Sequence, residues 1–411
     1  MQLLTGLAIL VVLAFVASSR RLWSLRRHPI GAVLITGGWI ALLTGFLLGP
    51  HGPIEGGMFS RDQIDLLSPL VYFCLGWVGL LVGLQAHRNL PRLLPPRTMR
   101  LAMMDALITL GLISAGTFGL LWAFDSQHGL VWHVAPAVLM GACAIGWAPE
   151  MRSLRTPVEP LHRLAGALRG ASGVGSIIAL VVFGLGVEIL MGGGAAGLYT
   201  ALILPPAIAI VSGLLCAWLM RLSARSESQF LVVLLGLVSF TAGSALVLGG
   251  SPLFATMVCG VVVVNLPGDV ARRLKREIIE AEQPMAMLLM LVAGLLADPL
   301  IGVAGLSVLG MILAARWLIK WVIIGRLVKR QFDVRSQTLL PTAPLRQSPL
   351  AIVLVIAVLL SPNAAAVSRV LSGEQLLAVV VFSGLISSAA PFLYRMVYSG
   401  GRPAGVAGAW S

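Results

Sequence analysis

The stretch "GACAIGWAPEM" (residues 141–151) interrupts a long apolar run with a proline, and "APLRQSPLAIV" (343–353) interrupts a second run in the same way. Pro149 falls near the middle of the first run, and Pro344 and Pro349 fall within the second. Proline removes a backbone N–H and restricts the residue before it, so each run is predicted to be a broken helix. Inside a bilayer, freed carbonyls must find partners within the protein, so broken helices there are expected to line an enclosed cavity.

The composition predicts an all-α polytopic membrane protein. Of 411 residues, 58% are hydrophobic and 11% are charged, whereas soluble domains carry about 25% charged residues. The mean hydropathy is +0.95, and apolar runs of about 20 residues, enough to cross a hydrocarbon core, recur along the chain. The net charge of +13 lies in short clusters between these runs, which indicates membrane topology and excludes nucleic acid as a partner.

Thirteen apolar runs are predicted to be membrane spans, numbered here in chain order. Arginine-rich connections follow the odd-numbered spans. Because positive loops face the cytoplasm, the N-terminus is predicted outside and the C-terminus inside the plasma (inner) membrane of a bacterium. The spans cover residues 2–18, 29–49, 65–85, 99–123, 131–157, 165–191, 196–220, 229–248, 252–266, 282–298, 300–325, 342–361 and 375–398.

The numbering predicts two inverted six-helix repeats, because a shift of seven spans reverses the direction of a helix. Residues 1–192 form the first repeat (spans 1–6), and residues 229–398 form the second (spans 8–13). Residues 196–220 form a linker span, and residues 399–411 form a short cytoplasmic tail. The two proline-broken runs are spans 5 and 12, which correspond in the two repeats. Such pairs are typical of secondary transporters that bind substrate near the midplane.

Several stretches together resemble the sodium/hydrogen exchanger superfamily, the monovalent cation:proton antiporters. The most specific are "GFLLGPHGP" (45–53) and "GGSPLFATMVCG" (249–260). "LSPLVYFCLGWVGLLVGLQ" (67–85), "EQPMAMLLMLVAGLLADP" (282–299) and "LSVLGMILAARWLIKWVIIGRL" (306–327) are similar to further segments of the family, in the same order. The resemblance covers nearly the whole chain. It implies six core helices packed against a dimerisation panel, substrate binding where spans 5 and 12 cross, elevator-like alternating access and a homodimer.

The chain departs from the family pattern at the ion site. In span 5, active members of the family carry a threonine and then Asp or Ser before the proline, whereas this chain carries Trp147, Ala148 and Pro149. The lysine or arginine often found within span 10 is also missing, because residues 285–297 hold no charge.

Span 6 shows the largest departure. Aligning "ALRGASGVGSIIALVVFG" (167–184) on the family pattern places Gly175 and Ser176 where most members carry one or two aspartates. A cation near the midplane needs hard oxygen ligands, and competition between proton and cation for one carboxylate couples their exchange. These two residues supply at most one hydroxyl and some carbonyls.

Three charged residues lie near the breaks, and one of them, Glu150, is a candidate to replace the missing carboxylates. Glu150 is the only acid adjacent to either break, and it either binds the transported proton or forms an ion pair with an arginine such as Arg169. Arg346 places a positive charge beside the break in span 12, where it occupies an emptied cation site or attracts an anion. The candidate ion-site residues are Trp147, Ala148, Pro149, Glu150, Gly175, Ser176, Arg346, Ser348 and Pro349, with Arg169 as a charge partner.

Other charges within the spans have simpler interpretations. Asp105 is expected near the headgroups, in the first turns of span 4. Arg316 and Lys320 are expected to extend toward the cytoplasmic interface from span 11. No metal-binding spacing, phosphate-binding loop or nucleophile–base set is recognisable, so no metal, cofactor or enzymatic activity is expected.

Three functions are compatible with the sequence. The first is exchange of Na+ or K+ for H+ through an atypical site. The second is a transporter-derived membrane subunit or sensor, associated with other membrane subunits, that no longer performs coupled exchange. The third is carriage of an anion or organic solute on the same fold, for which Arg169 and Arg346 are the motivation.

Overall fold

The computed structural model of the protein describes residues 38–52, 59–88, 96–126, 130–146, 159–187, 203–222, 227–266, 270–331, 347–361 and 371–399. Predicted span 1 and the predicted tail beyond Ser399 lie outside these residues.

The regular structure of the described residues is helical. The helices, numbered in chain order, are α1 (Trp39–Leu48), α2 (Arg61–Leu66), α3 (Ser68–Gly83), α4 (Pro96–Phe124), α5 (Val131–Ile145), α6 (Glu159–Val181), α7 (Leu204–Leu222), α8 (Glu227–Val247), α9 (Pro252–Asn265), α10 (Val270–Leu296), α11 (Gly302–Gln331), α12 (Leu350–Leu359) and α13 (Gly373–Ser399). A π-helical segment, Val182–Val187, continues α6.

Apolar helices occupy each predicted span from 2 to 13, which confirms the all-α polytopic fold. Four helical segments are long and apolar enough to cross a membrane, namely Thr98–Phe124, Ser228–Val247, Arg276–Leu296 and Gly302–Lys320. The other apolar helices are shorter. Span 2 corresponds to α1, span 3 to α3, and spans 4–13 to the helices of the same number.

The helix that contains predicted span 10 begins before residue 282. Pro284 does not begin this helix but lies inside α10, which starts at Val270. The preceding basic segment is helical because its apolar residues recur at helical spacing. Leu274 and Ile278, four residues apart, are both buried against the neighbouring helices.

The helices divide into two bundles. The first bundle comprises α1, α3, α7, α8, α9 and α10, where α3 packs against α8, α9 and α10, and α1 packs along α10. The second bundle comprises α4, α5, α6, α11, α12 and α13, where α4 packs against α5, α6 and α11. Contacts between the bundles are few and come mainly from α3, α6, α9, α10, α12 and α13.

Glycines allow the backbones of the first bundle to approach closely. A side chain at Gly45 of α1 would overlap the carbonyl oxygen of Leu291, and one at Gly294 of α10 would overlap that of Leu42. In a membrane, where apolar burial between helices gives little driving force, such close packing is a main source of helix association. The first bundle is therefore held by direct backbone contact between α1 and α10.

Candidate functional site

Two helices of the second bundle end against each other inside the protein. α5 ends at Ile145, and α12 begins at Leu350, directly after Pro349. The backbone N–H of Ser348 donates a hydrogen bond to the carbonyl oxygen of Gly146 at 3.2 Å. One turn further, Cys143 Sγ donates to the carbonyl oxygen of Ala351 at 3.3 Å. We call this meeting of the α5 C-terminus and the α12 N-terminus the crossing.

Pro349 sits where its chemistry disrupts the fold least. Its missing N–H has no partner to lose at the start of a helix, and its φ of −53° is helical. The Ser348 hydroxyl accepts from the N–H of Leu350 at 3.2 Å, which satisfies one donor of the α12 N-terminus. The sequence therefore starts α12 inside the protein, with one of the free backbone N–H groups at its N-terminus already hydrogen-bonded.

A buried arginine completes the α5 side of the crossing. Arg316, on α11, is 2% exposed, and its Nη1 donates to the carbonyl oxygens of Ala144 at 2.5 Å and Gly146 at 3.4 Å. The last carbonyls of a helix lack intrahelical donors and carry the negative end of the helix dipole. The guanidinium therefore supplies both the hydrogen bonds and the positive charge that the end of α5 requires.

A buried ion pair lies one helical turn further along α11. Lys320 is fully buried and forms an ion pair with Asp105 of α4, which is 6% exposed. Of the Asp, Glu, Lys and Arg side chains that the structure describes, only Asp105, Arg316 and Lys320 are buried. We call these three side chains the charge cluster. It places two cations and one carboxylate beside the crossing.

The structure differs from the sequence-based expectation that Arg316 and Lys320 reach the solvent interface. Arg316 and Lys320 were expected to extend to the cytoplasmic interface, and Asp105 was expected near the headgroups. The structure buries all three because α4 and α11 pack against each other and their charged positions meet. The four-residue spacing of Arg316 and Lys320, which places them on one helix face, was the available signal for a shared environment.

Gly175 lies close to the end of α5 and has no side chain that could bind an ion. A side-chain carbon at this position would stand 3.5 Å from Cγ2 of Ile145 and 3.8 Å from its carbonyl oxygen. The adjacent Ser176 is buried, and its hydroxyl donates to the carbonyl oxygen of Ser172 at 3.1 Å within α6. These two positions therefore bring a small surface and one internally bonded hydroxyl toward the crossing.

An unpaired oxygen adjoins the crossing on the α12 side. Gln347 is 6% exposed, and its Oε1 is buried without a hydrogen-bond partner. A buried carbonyl oxygen without a donor is unfavourable unless a ligand, ion or water satisfies it. This residue was not among the predicted site residues, because a glutamine two positions before a proline has no distinctive sequence signal.

Several predicted site residues lie outside the described residues: Trp147, Ala148, Pro149, Glu150 and Arg346, together with the side chain of Arg169. Of the predicted set, the structure brings Ser348, Pro349 and Gly175 to the crossing. No group of three His, Cys, Asp or Glu side chains among the described residues is arranged to hold a metal ion.

The fold and the crossing define a polytopic helical membrane protein. The solved structure of the sodium proton antiporter MjNhaP1 from Methanocaldococcus jannaschii at pH 8 matches this chain with a TM-score of 0.61 and 15% sequence identity. The match covers 97% of this chain and 98% of that one, so the two share the fold over essentially their full lengths. No protein-family model and no curated protein sequence matches the chain.

Proposed function

We propose that this protein is a secondary transporter that exchanges a monovalent cation, Na+ or K+, for protons at the crossing. The observation that carries the proposal is the interior meeting of α5 and α12, joined by the hydrogen bond from Ser348 N–H to the Gly146 carbonyl. Broken helices at this depth are the usual substrate site of secondary transporters, because their ends offer unpaired backbone groups. The fold that this chain shares with a sodium proton antiporter agrees with this function.

The proposal includes two inverted repeats with the boundaries given above. Helix pairing supports it, since spans 2 and 10 (α1 and α10) pack together, as do spans 3 and 9 (α3 and α9). In the proposed repeat, span 2 corresponds to span 9 and span 3 corresponds to span 10. The pair formed by spans 2 and 10 therefore corresponds to the pair formed by spans 9 and 3. An inverted repeat that relates spans 2 and 3 to spans 9 and 10 accounts for the presence of both pairs.

Neutral oxygens are the proposed cation ligands on the α12 side. Gln347 Oε1 is buried and unpartnered, and alkali cations bind hard oxygen atoms. Arg316 already occupies the carbonyls of Ala144 and Gly146. The cation is therefore proposed to bind between Gln347 and the Gly175–Ser176 segment rather than at the end of α5.

Glu150 is the proposed proton carrier. It directly follows Pro149 in the break of span 5. The carboxylate of Asp105 is already paired with Lys320, so a second carboxylate is needed if proton and cation compete for one group.

A dye-based assay in inside-out vesicles tests this proposal. Proton movement is measured on addition of sodium, potassium or lithium at several pH values. Glu150→Gln is expected to abolish cation-dependent proton movement, because the amide binds no exchangeable proton at these pH values. Gln347→Leu is expected to retain proton coupling and weaken the apparent cation affinity about tenfold, since one charge-assisted hydrogen bond or ligand contact contributes about 1.5 kcal/mol.

Glu277→Gln is the matched control, since Glu277 is a partly buried acid that pairs with its neighbour Arg276 on α10. It is expected to leave exchange unchanged. Unaltered exchange in Glu150→Gln would remove that residue from the mechanism. A flat response of the parent protein to all three cations would contradict antiport and favour a transporter-derived subunit or sensor.

Carriage of an anion or organic acid is the second candidate, and the charge cluster favours it. The buried guanidinium of Arg316 lies directly at the crossing, where a positive charge can attract an anion. On this candidate, labelled anion is taken up into proteoliposomes without a sodium or proton gradient. Arg346→Ala is then expected to lower uptake at least about tenfold, because one charge-assisted contact contributes about 1.5–3 kcal/mol. Uptake equal to that of protein-free liposomes would exclude this candidate.

The setting proposed for this activity is a homodimer in the plasma (inner) membrane of a bacterium, with the N-terminus outside and the C-terminus in the cytoplasm. The arginine-rich connections after the odd-numbered spans support that orientation. Lipid is the immediate partner, since α7 and α8 expose large apolar side chains such as Trp218, Val232 and Phe240. Other membrane subunits belong to the non-exchanging alternative.

A further inference from the structure

A tyrosine connects the two bundles at one end of the protein. Tyr72 of α3, in the first bundle, donates from its hydroxyl to the carbonyl oxygen of Leu360 at 2.5 Å. Leu360 is the residue directly after α12, in the second bundle. The bond therefore joins one bundle to the helix whose other end forms the crossing.

A carboxylate connects the bundles a second time. Glu374, at the start of α13 in the second bundle, is 15% exposed. Its Oε1 lies 2.8 Å from Nη1 of Arg61, the first residue of α2, which packs on α3. Its Oε2 lies 3.3 Å from Nε2 of His51, just beyond the end of α1. Both partners of this carboxylate are attached to the first bundle.

Glu374 is not needed to cap its own helix. Ser372 and Gln375 form a reciprocal pair, in which each backbone N–H donates to the other side chain at 3.1 Å. This capping box already satisfies the donors at the start of α13. The side chain of Glu374 is thus available for the contact with Arg61 and His51.

The two connections lie on the same side of the crossing. α12 has ten residues, so at 1.5 Å per residue Leu360 lies about 15 Å from the crossing. Tyr72 lies near the start of α3 and Glu374 near the start of α13, and both helices begin at the end predicted to face outside. The connections therefore stand between the crossing and the outer surface.

We propose that Tyr72, Arg61, His51 and Glu374 form an external latch, which holds the two bundles together and closes the crossing to the outside. The bundles share few other contacts, and weakly joined bodies are expected to move relative to each other. The latch has to open whenever the crossing is exposed to the outer side. This inference rests on the proposed function for the orientation of the chain in the membrane and for assigning that opening to a transport cycle.

Accessibility of the crossing tests the latch directly. Ser348→Cys places a thiol at the crossing, and its reaction with a membrane-impermeant thiol reagent is timed in right-side-out vesicles. The parent without this substitution supplies the baseline, since its four cysteines are buried. Adding Tyr72→Phe is expected to speed labelling about fivefold, the factor for loss of one hydrogen bond. Glu374→Gln and Arg61→Gln are expected to speed it less at high salt than at low salt, because exposed pairs are screened.

Glu277→Gln, which breaks an ion pair confined to α10, is the control and is expected to leave the labelling rate unchanged. Arg61→Gln guards against misfolding, because Arg61 is 70% exposed. Labelling rates in all three latch variants equal to the control would overturn the latch.

Proton exchange is measured in parallel. Faster labelling without any exchange would retain the latch and reject antiport, whereas normal exchange with unchanged labelling would do the reverse.

Discussion

Replacing Asp105 with asparagine is expected to lower the free energy of unfolding by about 3–5 kcal/mol, the usual cost of removing one partner of a buried ion pair. Asp105 is 6% exposed, and its partner Lys320 is fully buried beside Arg316. Without the carboxylate, the buried ammonium of Lys320 loses this ion pair while it stays next to the guanidinium of Arg316 in a water-poor interior. The change is measured as loss of thermal stability in detergent micelles, followed by tryptophan fluorescence.

The double variant Asp105→Asn with Lys320→Met identifies the cause of this loss. It removes both charges of the pair and is expected to recover most of the lost stability, because a buried pair contributes little net stability over an apolar pair of similar size. Glu277→Gln, which breaks a pair that is partly open to solvent, is expected to cost less than about 1 kcal/mol. An Asp105→Asn protein as stable as the parent would show that the charge cluster is not a structural unit.

Replacing Arg316 with methionine is expected to have the second largest effect, acting on both stability and transport. Methionine fills similar volume but leaves the carbonyl of Ala144 without its donor, at a cost of about 1–3 kcal/mol. The carbonyl of Gly146 retains the bond from Ser348. Because the end of α5 then loses its positive partner, the crossing shifts, and exchange is expected to fall about a hundredfold, as for small displacements of a reacting group.

Arg316→Lys separates charge from hydrogen-bond geometry. It keeps the positive charge at the end of α5 but cannot reach two carbonyls in the planar manner of a guanidinium. Compared with Arg316→Met, Arg316→Lys is expected to recover the free energy of unfolding more fully than the rate of ion exchange in vesicles. If Arg316→Met exchanged ions at the parental rate, the α5 end would have no part in transport. If Arg316→Lys restored exchange completely, charge alone would explain the role of this residue.

The break position in span 12 followed from the sequence because proline acts locally. The missing N–H and the restricted preceding residue are properties of the amino acid itself, and α12 begins directly after Pro349. The start of α10 did not follow from the same rule. Pro284 lies inside that helix, since packing of Leu274 and Ile278 extends it across the proline.

The charge cluster could not be read from the sequence, because hydropathy does not specify which face of a helix meets another. Arg316 and Lys320 lie toward the end of span 11 that is predicted to face the cytoplasm. Both side chains are long enough for their charged groups to reach the membrane interface from there. Asp105 is separated from Lys320 by 215 positions in the chain. Only the packing of α4 on α11 brings the three charges together.

The sequence by itself determined that this protein is a polytopic helical membrane protein and that span 6 carries no carboxylate at Gly175 or Ser176. Composition, run length and proline chemistry act over a few residues, so they can be read along the chain. The tertiary structure alone decided the partners of Arg316 and Lys320, the unpaired oxygen of Gln347 and the contacts of Glu374 with the first bundle. These depend on which helix faces meet, and that is set by the packing of the whole chain.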